Sequence, residues 1–159
     1  MNARATNDDD GGGYPRVLVS NRMTDAPGSM LDEPALADLA RATLVKEGHV
    51  DVELSLAFVD DEEIAELHER YMHEAGPTDV LTFPLDDEHD VDELGVRVLG
   101  DVVIAPQVAV RNNPDDPGSE LRLLVVHGVL HALGYDHEED DERLEMWARQ
   151  ERYSGVPVP

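Results

Sequence analysis

The segment His127-Gly-Val-Leu-His131-Ala-Leu-Gly134-Tyr-Asp-His137 constrains this chain more than any other. Its histidines stand at offsets of zero, four and ten residues, with a glycine between the second and the third. Residues four apart on an α-helix share a face and are separated by a rise of roughly 6 Å. Two imidazoles at that spacing can converge on one ion with Zn–N distances of about 2.0–2.1 Å. Gly134 can take the left-handed conformation that ends a helix, so the chain can turn and return His137 as a third ligand. Three protein ligands leave one coordination position open, the pattern of a catalytic zinc site. The flanks, Leu121-Arg-Leu-Leu-Val-Val126 and Val129-Leu130, are apolar nearly all round and predict a buried helix. A single histidine there would read as a hydrogen-bonded core residue. The three together predict metal ligation by His127, His131 and His137.

The spacing is that of the metzincin protease motif, in which a glutamate after the first histidine is the general base. Here that position is Gly128, which has no side chain to take a proton. The ligand set is retained and the protease machinery is not. The chain has no cysteine, so thiolate zinc sites and disulfides are excluded. Imidazole also suits copper, nickel and iron; zinc is preferred because hydrolysis needs no redox chemistry.

The 159 residues fit one domain with a sizeable core. No charged start followed by an apolar run opens the chain, so no signal peptide is expected. The longest apolar stretch, around 123–135, is short for a membrane span. A cytoplasmic protein with no membrane association is the expectation. Acidic residues number 36 against 12 basic ones, for a formal net charge of −24, and Lys46 is the only lysine. Such a surface repels nucleic acid at long range unless arginines gather on one face. A soluble acidic surface is the simpler explanation of that excess.

Along the chain, residues 1–14 are polar and aperiodic and are expected to form a disordered tail, with one domain over 15–153 and a short tail at 154–159. Arg16 to Asn21 reads as a strand. Pro34 opens a helix striped by Leu36, Leu39, Ala40, Thr43 and Leu44, ending near Gly48. Val52, Leu54, Leu56 and Phe58 alternate as one face of a strand. Asp60 and Glu63 resemble a capping box at the start of a helix running to about His73. Short strands follow at 79–83 and 96–105, stopped by Pro84 and Pro106. An acidic loop at 86–93 lacks the ligand spacing of an EF-hand. Ser119 is the expected N-cap of the histidine helix. A last helix from about Asp140 to Tyr153 is expected to carry Leu144 and Trp147 inward. His49, His68, His73 and His89 have no partner at ligand spacing and read as surface residues.

The histidine segment closely resembles the signature of the YbeY family of bacterial endoribonucleases and ribosomal RNA maturation factors. Gly76-Pro-Thr-Asp-Val-Leu-Thr-Phe-Pro84 and Leu99-Gly-Asp-Val-Val-Ile-Ala105 match the family as well, in the same order, so the resemblance spans about residues 16 to 153. It implies a single compact α/β domain, a small mixed sheet flanked by helices, with a zincin-like metal helix. It implies a zinc-dependent endoribonuclease acting on single-stranded RNA in small-subunit rRNA maturation and ribosome quality control. By match to the motif, His127, His131 and His137 are its metal ligands, one zinc ion per chain. Its implied partners are ribosomal RNA and the small subunit or its assembly proteins. One departure stands out: the family often has an arginine after the tyrosine preceding the Pro-Thr-Asp segment, and here Met72 follows Tyr71.

The expected mechanism is metal-assisted phosphodiester hydrolysis, with zinc lowering the pKa of a bound water to about 7. The base or leaving-group acid is not identified by the sequence. Asp79 and Asp101 are candidates because each sits at a strand end in a family-like segment, and either could equally be a loop cap or position a ligand. Asp136 reads as a turn residue or a support to its neighbouring ligand. Two rival readings stand beside this one. A metallopeptidase gains from the ligand spacing and loses from Gly128; a non-enzymatic, zinc-stabilised ribosome assembly factor gains from the acidic charge and from Met72.

Overall fold

The computed structural model describes residues 14–23, 31–74, 76, 78–84, 95–135 and 140–156. The expected N-terminal tail up to residue 13, the whole acidic loop at 86–93 with His89, and the Asp136–His137 pair lie outside the described residues. Nine elements run in the order β1 (Arg16–Asn21), α1 (Glu33–Lys46), β2 (Val52–Phe58), α2 (Asp61–Met72), β3 (Val80–Pro84), β4 (Arg97–Ile104), α3 (Pro106–Asn112), α4 (Pro117–Ala132) and α5 (Asp140–Ser154). The sheet order is β1-β2-β4-β3, with β1, β2 and β4 parallel and β3 antiparallel to β4. This is the mixed sheet flanked by helices that the family resemblance implies.

One sheet face is sealed by α1 and α4. Leu54, Leu56 and Phe58 of β2 and Val102 and Ile104 of β4 meet Leu36, Ala40 and Leu44 of α1 and Leu121, Val125 and Val129 of α4 in one buried cluster. The opposite face is covered only in part by α2, where Ile64 packs on Ala57, Leu81, Val103 and Ala105. Strand alternation decides which residue meets which layer. Val102 faces α4, so Asp101 and Val103 face away from it.

Several local expectations need correction. Asp60 is the N-cap of α2 but its side chain makes no capping bond; Glu63, its expected box partner, instead accepts from Arg22 Nε at 2.8 Å. The N-cap of α4 is Asp116 and not Ser119, because Pro117 takes the first helical position and Asp116 Oδ1 accepts from the Ser119 amide at 3.2 Å. In α5, Leu144 is 62% exposed and Met146 is the residue that is fully buried. Helix α3, for which Pro106 at the first turn is the start signal, was not expected from the sequence.

Candidate metal centre and its cleft

Helix α4 buries Leu121, Leu124, Val125, Val126, Gly128, Val129, Leu130 and Ala132. That leaves His127 and His131 half-buried, one turn apart on a shared face. Their rings meet edge to face with centroids 4.6 Å apart. Gly128 lies against β4, where a Cβ would overlap the Val102 side chain. The position that would hold a protease base is therefore filled by helix–sheet contact. The helix stops as the sequence predicts: Gly134 has φ +106, its amide donates to the His131 carbonyl at 2.9 Å, and the Tyr135 amide donates to the Leu130 carbonyl at 3.0 Å. This pair of bonds is a Schellman motif, which ends the helix in a sharp turn.

Two contacts brace that end of α4. Tyr135 donates its hydroxyl proton to Glu47 Oε1 at 2.8 Å, while Glu47 also accepts from Arg149 at 2.6 Å and from the Tyr153 hydroxyl. The Glu47 side chain is only 5% exposed. Burial alone would raise its pKa, but the hydrogen bonds from Tyr153, Tyr135 and Arg149 outweigh it and hold the carboxyl below its usual range. Burial, then the Glu47 carboxylate, pushes the Tyr135 hydroxyl up to about 12. The clamp ties the end of α1 and the face of α5 to the residue that opens the segment carrying His137.

The second contact orients a ring. Nδ1 of His127 lies 2.6 Å from Oε1 of Gln150, a residue of α5 that is 4% exposed. An amide oxygen only accepts, so the imidazole hydrogen sits on Nδ1 and Nε2 carries the lone pair that a metal requires. His127 so oriented, with His131 one turn along the same helix face, fits an all-nitrogen zinc donor set. The third expected ligand, His137, lies outside the described residues. Among the described residues alone, no three histidine, aspartate or glutamate side chains gather to hold a metal.

His127 and His131 line a cleft of about 720 Å³ along the edge strand β3, opposite the end of α2. Thr78, Val80 and Thr82 form its strand side, and His68, Met72 and Glu74 its far wall. His68 is thus not the surface residue the sequence suggests; its side chain is 14% exposed, and nothing at ligand spacing announces it. No lysine or arginine is among the described residues lining this cleft, so the basic patch that could have offset the acidic charge is not found there.

The two aspartates proposed as bases go to different places. Asp101 lines the second cleft, on the α2 side of the sheet, with β4 between it and α4, and so leaves the list of bases. Asp79 lies near Glu120 in the first turn of α4; burial, and then the Asp79 charge, raise the Glu120 carboxyl above its usual range. Glu120 is two helical turns before His127, and the sequence reading missed it because its neighbour comes from a distant strand.

A family model described as Endoribonuclease YbeY matches residues 24–155. The chain belongs to the endoribonuclease YbeY family. Endoribonuclease YbeY of Streptomyces coelicolor is 44% identical over 142 residues, covering 83% of this chain and 86% of that protein. Its counterpart in Thermobifida fusca is 48% identical over 141 residues, covering 83% and 90% respectively. The fold is similar to the solution structure of TM1509 from Thermotoga maritima, with a TM-score of 0.59 and 31% identity over 87% of this chain and 86% of that one. The family is named for cutting RNA internally, which makes its members hydrolases. No helix among the described residues is long and apolar enough to cross a membrane.

Proposed function

We propose that this protein is a zinc-dependent endoribonuclease that hydrolyses phosphodiester bonds in single-stranded RNA, acting in the cytoplasm in small-subunit rRNA maturation and ribosome quality control. The observation that carries the reading is the His127–His131 pair on one cleft, with His127 held by Gln150, in a chain of the endoribonuclease YbeY family. His127, His131 and His137 would hold one zinc ion through ring nitrogens. Zinc so bound supplies Lewis acidity at a phosphoryl oxygen and makes water nucleophilic near neutral pH. Gln150 keeps the His127 hydrogen on Nδ1. Thr78 and Thr82 offer hydroxyl donors to an RNA strand lying along β3, and Gly128 keeps the site without the protease base.

The absence of lysine and arginine from the described cleft lining, together with Met72 on its wall, favours one second reading: a docking factor that zinc stabilises and that does not cut RNA. Incubation of zinc-loaded protein with single-stranded ribosomal RNA at low salt, beside a folded His131→Ala variant, separates the two. Cleavage by the wild type alone supports the ribonuclease. If neither protein cuts while the wild type retains zinc, the docking reading takes its place.

A further inference from the structure

His68 projects from the penultimate turn of α2 into the cleft of His127 and His131. Both of its ring nitrogens face oxygen: Nδ1 is 2.9 Å from the Gly76 carbonyl and Nε2 is 2.8 Å from Oε1 of Glu74. A carbonyl and a carboxylate oxygen can only accept, so a ring nitrogen bonded to either one is the donor of that bond. The two partners differ in kind. Gly76 contributes backbone, whereas the Glu74 side chain is 69% exposed at the cleft rim. A pair whose carboxylate stands in solvent is weak and easily exchanged. With no lysine or arginine among the described lining residues, His68 supplies ring N–H donors to a cleft in a chain of net charge −24.

We propose that Nε2 of His68 is a phosphate-binding position of this cleft, occupied in the free protein by the Glu74 carboxylate and taken over by a phosphodiester of bound RNA. This rests on the reading of the cleft as an RNA site. Glu74 acts as an internal anion that single-stranded RNA must displace. His68 keeps its bond to Gly76 throughout, so the ring stays aimed while its outer partner changes. No bond is made or broken in the exchange; one oxyanion replaces another on the same N–H.

The test is equilibrium binding of a ribose-methylated, single-stranded oligoribonucleotide, which resists cleavage, measured by fluorescence anisotropy at low salt. Glu74→Gln, at an exposed position that does not threaten the fold, is expected to tighten binding by about threefold to tenfold, the loss of a competing local charge. His68→Asn is expected to weaken it by a similar factor. In the His68→Asn background, Glu74→Gln should no longer matter, and Glu69→Gln, removing an exposed charge elsewhere on α2, should match the wild type. Equal gains from Glu74→Gln with and without His68, or from Glu69→Gln, would reduce the effect to net charge and overturn the proposal. Binding by the wild type that ignores both His68→Asn and Glu74→Gln would overturn it while leaving the RNA reading intact. Absence of binding by every protein would overturn both.

Discussion

Helix α2 separates two clefts, and neighbouring residues of that helix serve opposite sides. Leu67 and Tyr71 border the cleft on the open face of the sheet, together with Leu18, Ser55, Phe83 and Asp101. His68 and Met72, one position further along, border the cleft of His127 and His131. A helical step of one residue rotates the side chain by about 100°, which is why positions 67 and 71 face one way and 68 and 72 the other. The open-face cleft has a floor of mixed polar and apolar strand residues and an aromatic contact between Tyr71 and Phe83, with centroids 5.3 Å apart. The histidine cleft has imidazoles on two walls and an edge strand for its base. The contrast teaches that a strand carboxylate has no chemical meaning until its side of the sheet is known; Asp101, expected at a strand end, stands in the middle of β4. Asp101 lies on a family-like segment, yet the sheet stands between it and the histidines.

The sharpest way to break this contrast is to alter each cleft in turn. His131→Ala is expected to lower RNA cleavage by at least about a hundredfold, since weakening a ligand's support alone costs about 10–100-fold. Asp101→Asn, across the sheet, is expected to leave the rate within about twofold. Comparable losses from both would mean that the two clefts act as one site.

Next in size is the clamp beneath the histidine cleft. Glu47→Ala should cost about 3 kcal/mol in denaturant unfolding, because it leaves Arg149 and two tyrosine hydroxyls without their acceptor. The folded-state pKa of Glu47 is depressed, so its stabilisation is present above the ordinary glutamate value of about 4.3 and is lost as pH falls through the lower folded value. The gap between wild type and variant should therefore close in acid. A gap that stays constant with pH would show that packing, not the carboxylate, holds the three elements together.

Gln150→Leu tests whether ring orientation matters separately from the fold. Zinc affinity, measured by chelator competition, is expected to fall about 10–100-fold. Unchanged affinity would remove Gln150 from the account of the site. The smallest effect is expected at Glu120, whose carboxyl is raised by burial and by Asp79. Its ionised form opposes folding at neutral pH, so Glu120→Gln should raise the thermal midpoint slightly there. That gain should vanish below about pH 4, where the carboxyl is protonated in both states; no gain at neutral pH would mean that Asp79 and Glu120 do not strain each other.

Much of the architecture was legible because it follows from local rules. The alternation at Val52, Leu54, Leu56 and Phe58 yields β2 with those residues buried. The stripe from Leu36 to Leu44 yields α1, and Gly134 ends α4 where its φ of +106 requires a residue without a side chain. The misreadings share a cause. In α5, Leu144 and Met146 are equally apolar, and only the position of α4 decides that Met146 points inward. His68 has no ligand-spaced neighbour in sequence; it joins the other histidines because the end of α2, where it contacts Glu74 and Gly76, borders the same cleft as α4 and β3. Glu47 gives no chemical signal at all, and its partners lie 88 to 106 residues away.

By itself, then, the sequence determined the residue chemistry and the short-range geometry: a pair of histidines on one helical face, a glycine stop beyond them, no base at Gly128, and the individual strands and helices. Those depend on helical pitch, strand alternation and backbone sterics, which act over a few residues. Tertiary structure alone decided which side of the sheet each carboxylate occupies, that Gln150 orients His127, and that His68 faces the same cleft. Those depend on how layers pack, and packing joins residues that no local rule relates.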